Sequence, residues 1–162
     1  MRKAFAPALA GAALAATPAA AQMEPAPVAE VFASYNDCFA ATNTASLAPA
    51  ELEARGWERA TIENRQGEKV GDAPIIYGHA ARAPLILLNA LQGQGVSVVS
   101  ARIASPAVFE EFKAAFGGRL PKPDKDGEIT YQAEGRIVRI AQTGSREKPS
   151  LKLVVGTRME KK

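Results

Sequence analysis

The run EITYQAEGRIVRIAQTGSREKPSLKLVVGTR, residues 128–158, decides the fold. Its first seven residues alternate: Ile129, Tyr131 and Ala133 fall on one side, Thr130 and Gln132 on the other. A period of two is what a half-buried strand requires, because successive side chains leave opposite faces of the pleat. Gly135 turns the chain into a second strand, Arg136 to Gln142, and Thr143 to Pro149 turns it into a third, Ser150 to Arg158, where Leu151, Leu153 and Val155 share a face. Three strands joined by hairpin-length connections predict an antiparallel meander.

Working back from that run, the apolar stretches Leu85 to Leu91 and Val96 to Ile103 flank Gln92-Gly93-Gln94-Gly95. They read as a hairpin of central strands, although Leu85 to Leu91 alone also fits a short helix. Trp57 to Arg65, ending on the turn Gln66-Gly67, and Pro74 to Tyr77 read as two further strands. Helical spacing governs Pro27 to Thr42, where Val28, Val31, Phe32, Tyr35, Cys38 and Phe39 form one stripe. A second, short helix fits Pro49 to Arg55, with Leu47 and Leu52 facing the core and Gly56 closing it. A third begins with Ser105 as N-cap and Pro106 at the first position, and it ends at Gly117. The expected order is helix, helix, four strands, helix, three strands. That order predicts an α+β domain: a mostly antiparallel sheet of about six to seven strands with helices packed on one face.

The beginning of the chain carries an address rather than a fold. Arg2 and Lys3 are followed by an alanine-rich apolar stretch, Ala4 to Ala16, and then by Thr17-Pro18-Ala19-Ala20-Ala21. Small residues at 19 and 21 suit cleavage before Gln22, the pattern of a secretory signal peptide. The stretch is shorter than the roughly 20 apolar residues of a membrane span. Residues 1–21 are therefore expected to be a cleaved signal, 22–27 a lead-in and 28–160 a single domain, with Glu160 to Lys162 as a frayed tail. The expected location is periplasmic or secreted in a bacterium, with no transmembrane segment after cleavage.

Without residues 1–21 the chain holds 18 Lys plus Arg against 17 Asp plus Glu. Such a balance argues against nucleic acid as a partner. The charge is nonetheless sorted along the chain. Gln22 to Pro74 holds nine acidic and four basic residues, and Gly118 to Lys162 holds eleven basic and six acidic. Two solvated faces of opposite sign account for this, as would a basic end turned toward an anionic partner. The one cysteine, Cys38, cannot form an internal disulfide, and its position on the helical stripe reads as a small buried hydrophobe.

Motifs for chemistry are sparse. His79 is the only histidine, so a histidine-rich zinc site is excluded and any triad has to use this ring, with Asp72 as the nearby acid. Ser145 and Lys148 match a Ser-x-x-Lys spacing but sit in a turn where that chemistry needs a helix. Asp124-Lys125-Asp126-Gly127 echoes a calcium loop, yet Lys122 and Ala133 occupy the two strongest ligand positions, so the segment reads as turn chemistry and no metal site is expected. The glycines at 93, 95, 117 and 118 do not open a helix as phosphate loops do. Trp57, Tyr77 and Tyr131 are core aromatics or groove-lining ones. Tyr77, His79 and Tyr131 are the candidate ligand or partner contacts; no catalytic residue and no cofactor is expected.

The signal-like start, the helix with one Cys, the sequence Arg55-Gly56-Trp57 and the helix opening Pro106-Ala107-Val108-Phe109 together resemble a loose group of small uncharacterised exported bacterial proteins. In that group a second Cys often sits in the strand matching Val96 to Ile103, placed to pair with the helix Cys; this chain has Ser97 and Ser100 there. The resemblance implies no known activity. The functional expectation is a non-enzymatic exported envelope protein that binds a protein partner in the cell envelope or a small apolar ligand. Two alternatives are an inhibitor or immunity-type partner of a secreted protein, and a small hydrolase using His79. Oligomeric state is left open.

Overall fold

The computed structural model describes residues 24–61, 66–69, 75–91 and 94–157. The signal reading of 1–21, residues 62–65 of the first expected strand, Asp72, Pro74, the Gln92-Gly93 turn, Arg158 and the tail 160–162 lie outside the described residues. Ten elements follow in chain order: α1 (Val28–Ala40), α2 (Pro49–Glu53), β1 (Trp57–Arg59), β2 (Ile75–His79), β3 (Arg82–Leu91), β4 (Gln94–Arg102), α3 (Pro106–Ala114), β5 (Ile129–Ala133), β6 (Arg136–Gly144) and β7 (Pro149–Gly156). All seven strands join one sheet in the order β1-β2-β3-β4-β7-β6-β5, with every neighbouring pair antiparallel. The chain forms a single α+β domain in which the sheet dominates. Among the described residues no helix is long and apolar enough to cross a membrane.

Two meanders build this sheet. Strands β1 to β4 follow one another, β7 pairs with β4, and β6 and β5 continue outward. The β5–β6 connection is a two-residue turn in which Glu134 (φ 49°) and Gly135 (φ 77°) are both left-handed. That is the turn whose twist matches a hairpin, and Gly135 supplies it without steric cost. The segment Leu85 to Leu91 is strand, held by β2 on one side and β4 on the other. Its helical ambiguity arises because both faces of this central strand are apolar, which hides the period of two.

Some boundaries moved. β1 ends at Arg59, before Ala60 and Thr61, and β2 runs on to His79 through an irregularity between Tyr77 and His79. Ser105 is extended, but its side chain does not cap α3. The helix starts instead on Pro106, whose fixed φ suits a first helical position and whose missing N–H needs no partner there.

Cross-strand register defines the two faces. Tyr77, Ile86, Val99, Leu153, Ile140 and Ile129 form one continuous row across β2, β3, β4, β7, β6 and β5, and none is more than 2% exposed. Burying each such side chain contributes roughly 1.5–3 kcal/mol before entropic costs. We call this the inner face. Helix α1 lies against it: Cys38 Sγ meets Ser97 Oγ of β4, and Val31 and Cys38 are fully buried. Tyr35 and Asp37, about 200° apart around the helix, reach opposite flanks, Tyr35 toward β5 and Asp37 toward β1.

Candidate functional site

Asp37 is the most heavily partnered polar group on the inner face. It projects from α1 and is 6% exposed. Trp57 Nε1–H donates to its Oδ2 at 3.0 Å, Arg55 Nη1 reaches Oδ1 at 3.3 Å, and Arg82 Nη1 pairs with Oδ2. The Arg82 guanidinium also lies 5.9 Å from the Trp57 ring centre. A carboxylate taken out of water is costly unless paired and hydrogen-bonded, and this one is both. It clasps α1 to the end of α2, to β1 and to β3. Both oxygens meet donors on those elements, and the carboxylate thereby locks the flank.

His79 sits beside that clasp, its ring edge-on to Trp57 at 5.3 Å. Its Nδ1 accepts the Ala81 N–H at 3.0 Å, which leaves the proton on Nε2, donating to the Arg55 carbonyl at 3.2 Å. Both nitrogens are used on backbone, so the ring ties the β2–β3 turn to the chain after α2. Gly56 permits this approach: its φ is +85°, and a Cβ there would lie 3.2 Å from His79 Nε2. Tyr77 is almost fully buried in the inner row, and burial together with the nearby Glu53 carboxylate raises its phenol above the ordinary range.

Tyr131 lies at the other end of the sheet. Five strand spacings separate β2 from β5, or roughly 24 Å at 4.8 Å each. The structure therefore does not gather Tyr77, His79 and Tyr131 on one surface. Tyr131 OH meets Tyr35 OH at 2.9 Å beside an aromatic cluster of Phe32, Phe39, Phe112 and Phe116. Burial raises both phenols. Arg136 caps the cluster, its guanidinium 4.1 Å from the Phe39 ring centre. Cys38, between the two flanks, is fully buried, and desolvation pushes its thiol up to about 12. A thiol held protonated in this way is a packing group, not a nucleophile.

The remaining motifs resolve as turns. Ser145 Oγ accepts the Lys148 backbone N–H at 3.2 Å within the β6–β7 hairpin, so the helix that Ser-x-x-Lys chemistry needs is replaced by a turn. Asp124 Oδ1 accepts the N–H groups of Asp126 and Glu128, each at 2.9 Å, which spends that carboxylate on the backbone. An open cavity of about 380 Å³ lies between this turn, the start of α3 and the β6–β7 hairpin; its walls include Phe109, Gln142 and Arg146. Tyr77, His79 and Tyr131 are not among its walls.

The feature that sequence reasoning missed is the other face of the sheet. One residue along from the inner row, Ile76, Leu87, Val98 and Val154 form a second row across β2, β3, β4 and β7, which continues to Arg139 on β6. Leu85 and Val96 flank it, and all six of these apolar side chains are half-buried. Ile137, farther along β6, is 37% exposed. Lateral neighbours in a sheet screen each other's side chains in this way. The helix contacts described above are all made on the inner face. The signal was legible in principle, since β3, β4 and β7 carry apolar residues at both parities, which a sheet covered on one face only does not require. No known protein family, curated protein or solved structure matches this chain.

Proposed function

We propose that this chain is a non-catalytic protein of the bacterial cell envelope, exported by residues 1–21, that binds a protein partner on the outer face of its sheet while its three helices form one layer over the inner face. The observation that carries this reading is the apolar outer row Ile76, Leu87, Val98 and Val154. An apolar row on the sheet face away from the helix contacts is the kind of surface that marks an interaction site. The inner row is filled by side chains, so a small apolar ligand between sheet and helices finds its space already occupied. The hydrolase alternative weakens because both His79 nitrogens serve the backbone. The inhibitor or immunity-type alternative shares the protein-binding premise and differs only in what is bound.

The test is thiol labelling with Val98→Cys. Cys38 is buried and stays silent under native conditions. The introduced thiol is expected to react with a maleimide within minutes in dilute purified protein and to be protected in intact cells. Equal labelling in both settings overturns the reading. The export component is checked separately by N-terminal sequencing of the cellular protein, which is expected to begin at Gln22; recovery of the chain with its first 21 residues attached overturns it.

A further inference from the structure

Strand β6 outruns its partner on one side. Its ladder with β5 ends at Ile129↔Ile140, while its ladder with β7 continues through Ala141↔Lys152 to Gly144↔Pro149. Ahead of Ile129 the chain is drawn off the sheet by a tight turn. Asp124 Oδ1 accepts the Asp126 and Glu128 N–H groups, the Asp124 N–H donates to the Glu128 carbonyl at 2.9 Å, and the Gly127 N–H donates to the Asp124 carbonyl at 3.1 Å. Those bonds serve the turn itself. Residues 141–144 of β6 therefore keep one edge with no described strand beside it. Such an edge offers backbone N–H and C=O groups to whatever extended chain comes alongside. Gln142, Thr143 and Gly144 of this overhang are exposed and form a wall of the cavity of about 380 Å³.

Two opposite charges border the same cavity from separate turns. Asp126 comes from the turn before β5 and Arg146 from the β6–β7 hairpin, while Phe109 gives an apolar wall near the start of α3. Among the described residues, neither the Asp126 carboxylate nor the Arg146 guanidinium has a hydrogen-bond or ion-pair partner, and the two do not pair with each other. Both are carried on turns that are already closed. The bonds to Asp124 hold the first, and Ser145 Oγ accepts the Lys148 N–H across the second. A site organised before its ligand arrives loses less entropy on binding.

We propose that this cavity binds a dipeptide with free termini. Its ammonium pairs with Asp126, its carboxylate with Arg146, and its central amide meets the free edge of β6, with a side chain against Phe109. Arginine with carboxylate is a strong, charge-assisted contact, and addition of an extended peptide to a strand edge is a recurring mode of recognition. Size agrees. Two extended residues span roughly 7 Å, against roughly 10 Å for the overhang from Ala141 to Gly144. The cavity volume falls within the roughly 300–1,000 Å³ of small-molecule sites. The site uses none of Ile76, Leu87, Val98 and Val154, so it is independent of what the outer face binds.

The experiment is calorimetric titration of the purified protein with alanyl-phenylalanine. The free dipeptide is expected to saturate one site with a Kd below about 1 mM. Acetylating its amine or amidating its carboxylate is expected to weaken binding by about tenfold or more in each case, since each removes a charge-assisted bond. Arg146→Gln is expected to lose a similar factor for the free dipeptide and to become indifferent to amidation; Asp126→Asn is expected to become indifferent to acetylation. Loss of discrimination at one terminus only is an effect that general destabilisation does not produce. Lys148→Gln removes a charge from the same hairpin outside the cavity wall and is expected to leave binding unchanged. Absence of saturable binding below about 1 mM overturns the proposal. So do blocked peptides that bind as tightly as the free one, and so does a Lys148→Gln loss equal to that of Arg146→Gln, which marks diffuse charge attraction in place of a site.

Discussion

Ser97→Cys is expected to create a disulfide with Cys38 and to stabilise the fold by a calculable amount. The two side chains meet across the α1–β4 interface and lie 59 residues apart in sequence. Closing a loop of that length in the unfolded chain removes entropy equivalent to about 4 kcal/mol. Losing the Ser97 hydroxyl contact costs about 1 kcal/mol, so the net gain expected is about 2–4 kcal/mol. For a domain of this size that corresponds to a rise in Tm on the order of 8–15 °C. The bond should be formed during oxidative refolding, because the buried Cys38 thiol, pushed up to about 12, supplies almost no thiolate in the folded state. The assay is a pair of thermal melts by circular dichroism, with and without reductant, after thiol titration has confirmed the oxidised form. An oxidised protein that melts at the same temperature as its reduced form refutes the reasoning. So does a variant that retains two free thiols after oxidative refolding, since α1 and β4 would then not be apposed at these residues.

Two further outcomes are expected. Asp37→Ala strands the Trp57 N–H, while Arg55 and Arg82, 44% and 26% exposed, regain water; leaving the buried donor unpaired costs about 1–3 kcal/mol, read as a fall in the urea midpoint, and an unchanged midpoint would mean the clasp is not formed. Alkaline pH should destabilise the fold, because the Cys38 thiol titrates near 9.0 when unfolded and about 12 when folded: the unfolded state loses its proton first, so the contribution is intact below about pH 9 and declines as pH rises toward 12, by at most about 1.4 kcal/mol per unit. Tyr35, Tyr77 and Tyr131, also raised, act in the same direction at higher pH. Urea midpoints at pH 8 and pH 10 check this, with Cys38→Ala expected to flatten the difference and an unchanged wild-type midpoint counting against it.

The order of elements was legible because each carries its period openly. Ile129, Tyr131 and Ala133 alternate over one covered face, and Val31, Tyr35 and Cys38 recur at helical spacing. Strand order was harder: nothing local in β4 or β7 specifies that Val99 meets Leu153, because that register is fixed by matching buried rows between distant segments. Ser105 failed as a capping residue because Pro106 alone starts the helix. The candidate surface escaped notice for a related reason. Leu85 and Leu87 read as core in a linear scan, and only the pairing shows them on the face opposite Ile86 and Leu88. Tyr77 and Tyr131 look alike in sequence, yet strand order places them on opposite flanks.

Among the described residues the β4–β7 ladder is the sole strand pairing between the two meanders, and the chain between them passes through the exposed segment 121–127. The domain is thereby a two-piece construction with a natural seam. Cut within that segment, residues 22–120 retain three helices and four consecutive strands, and residues 128–157 retain a three-stranded unit with a ready edge. Coexpressed, the two fragments are suited to reassemble by zipping β7 onto β4, and the same seam offers new termini for a circularly permuted chain.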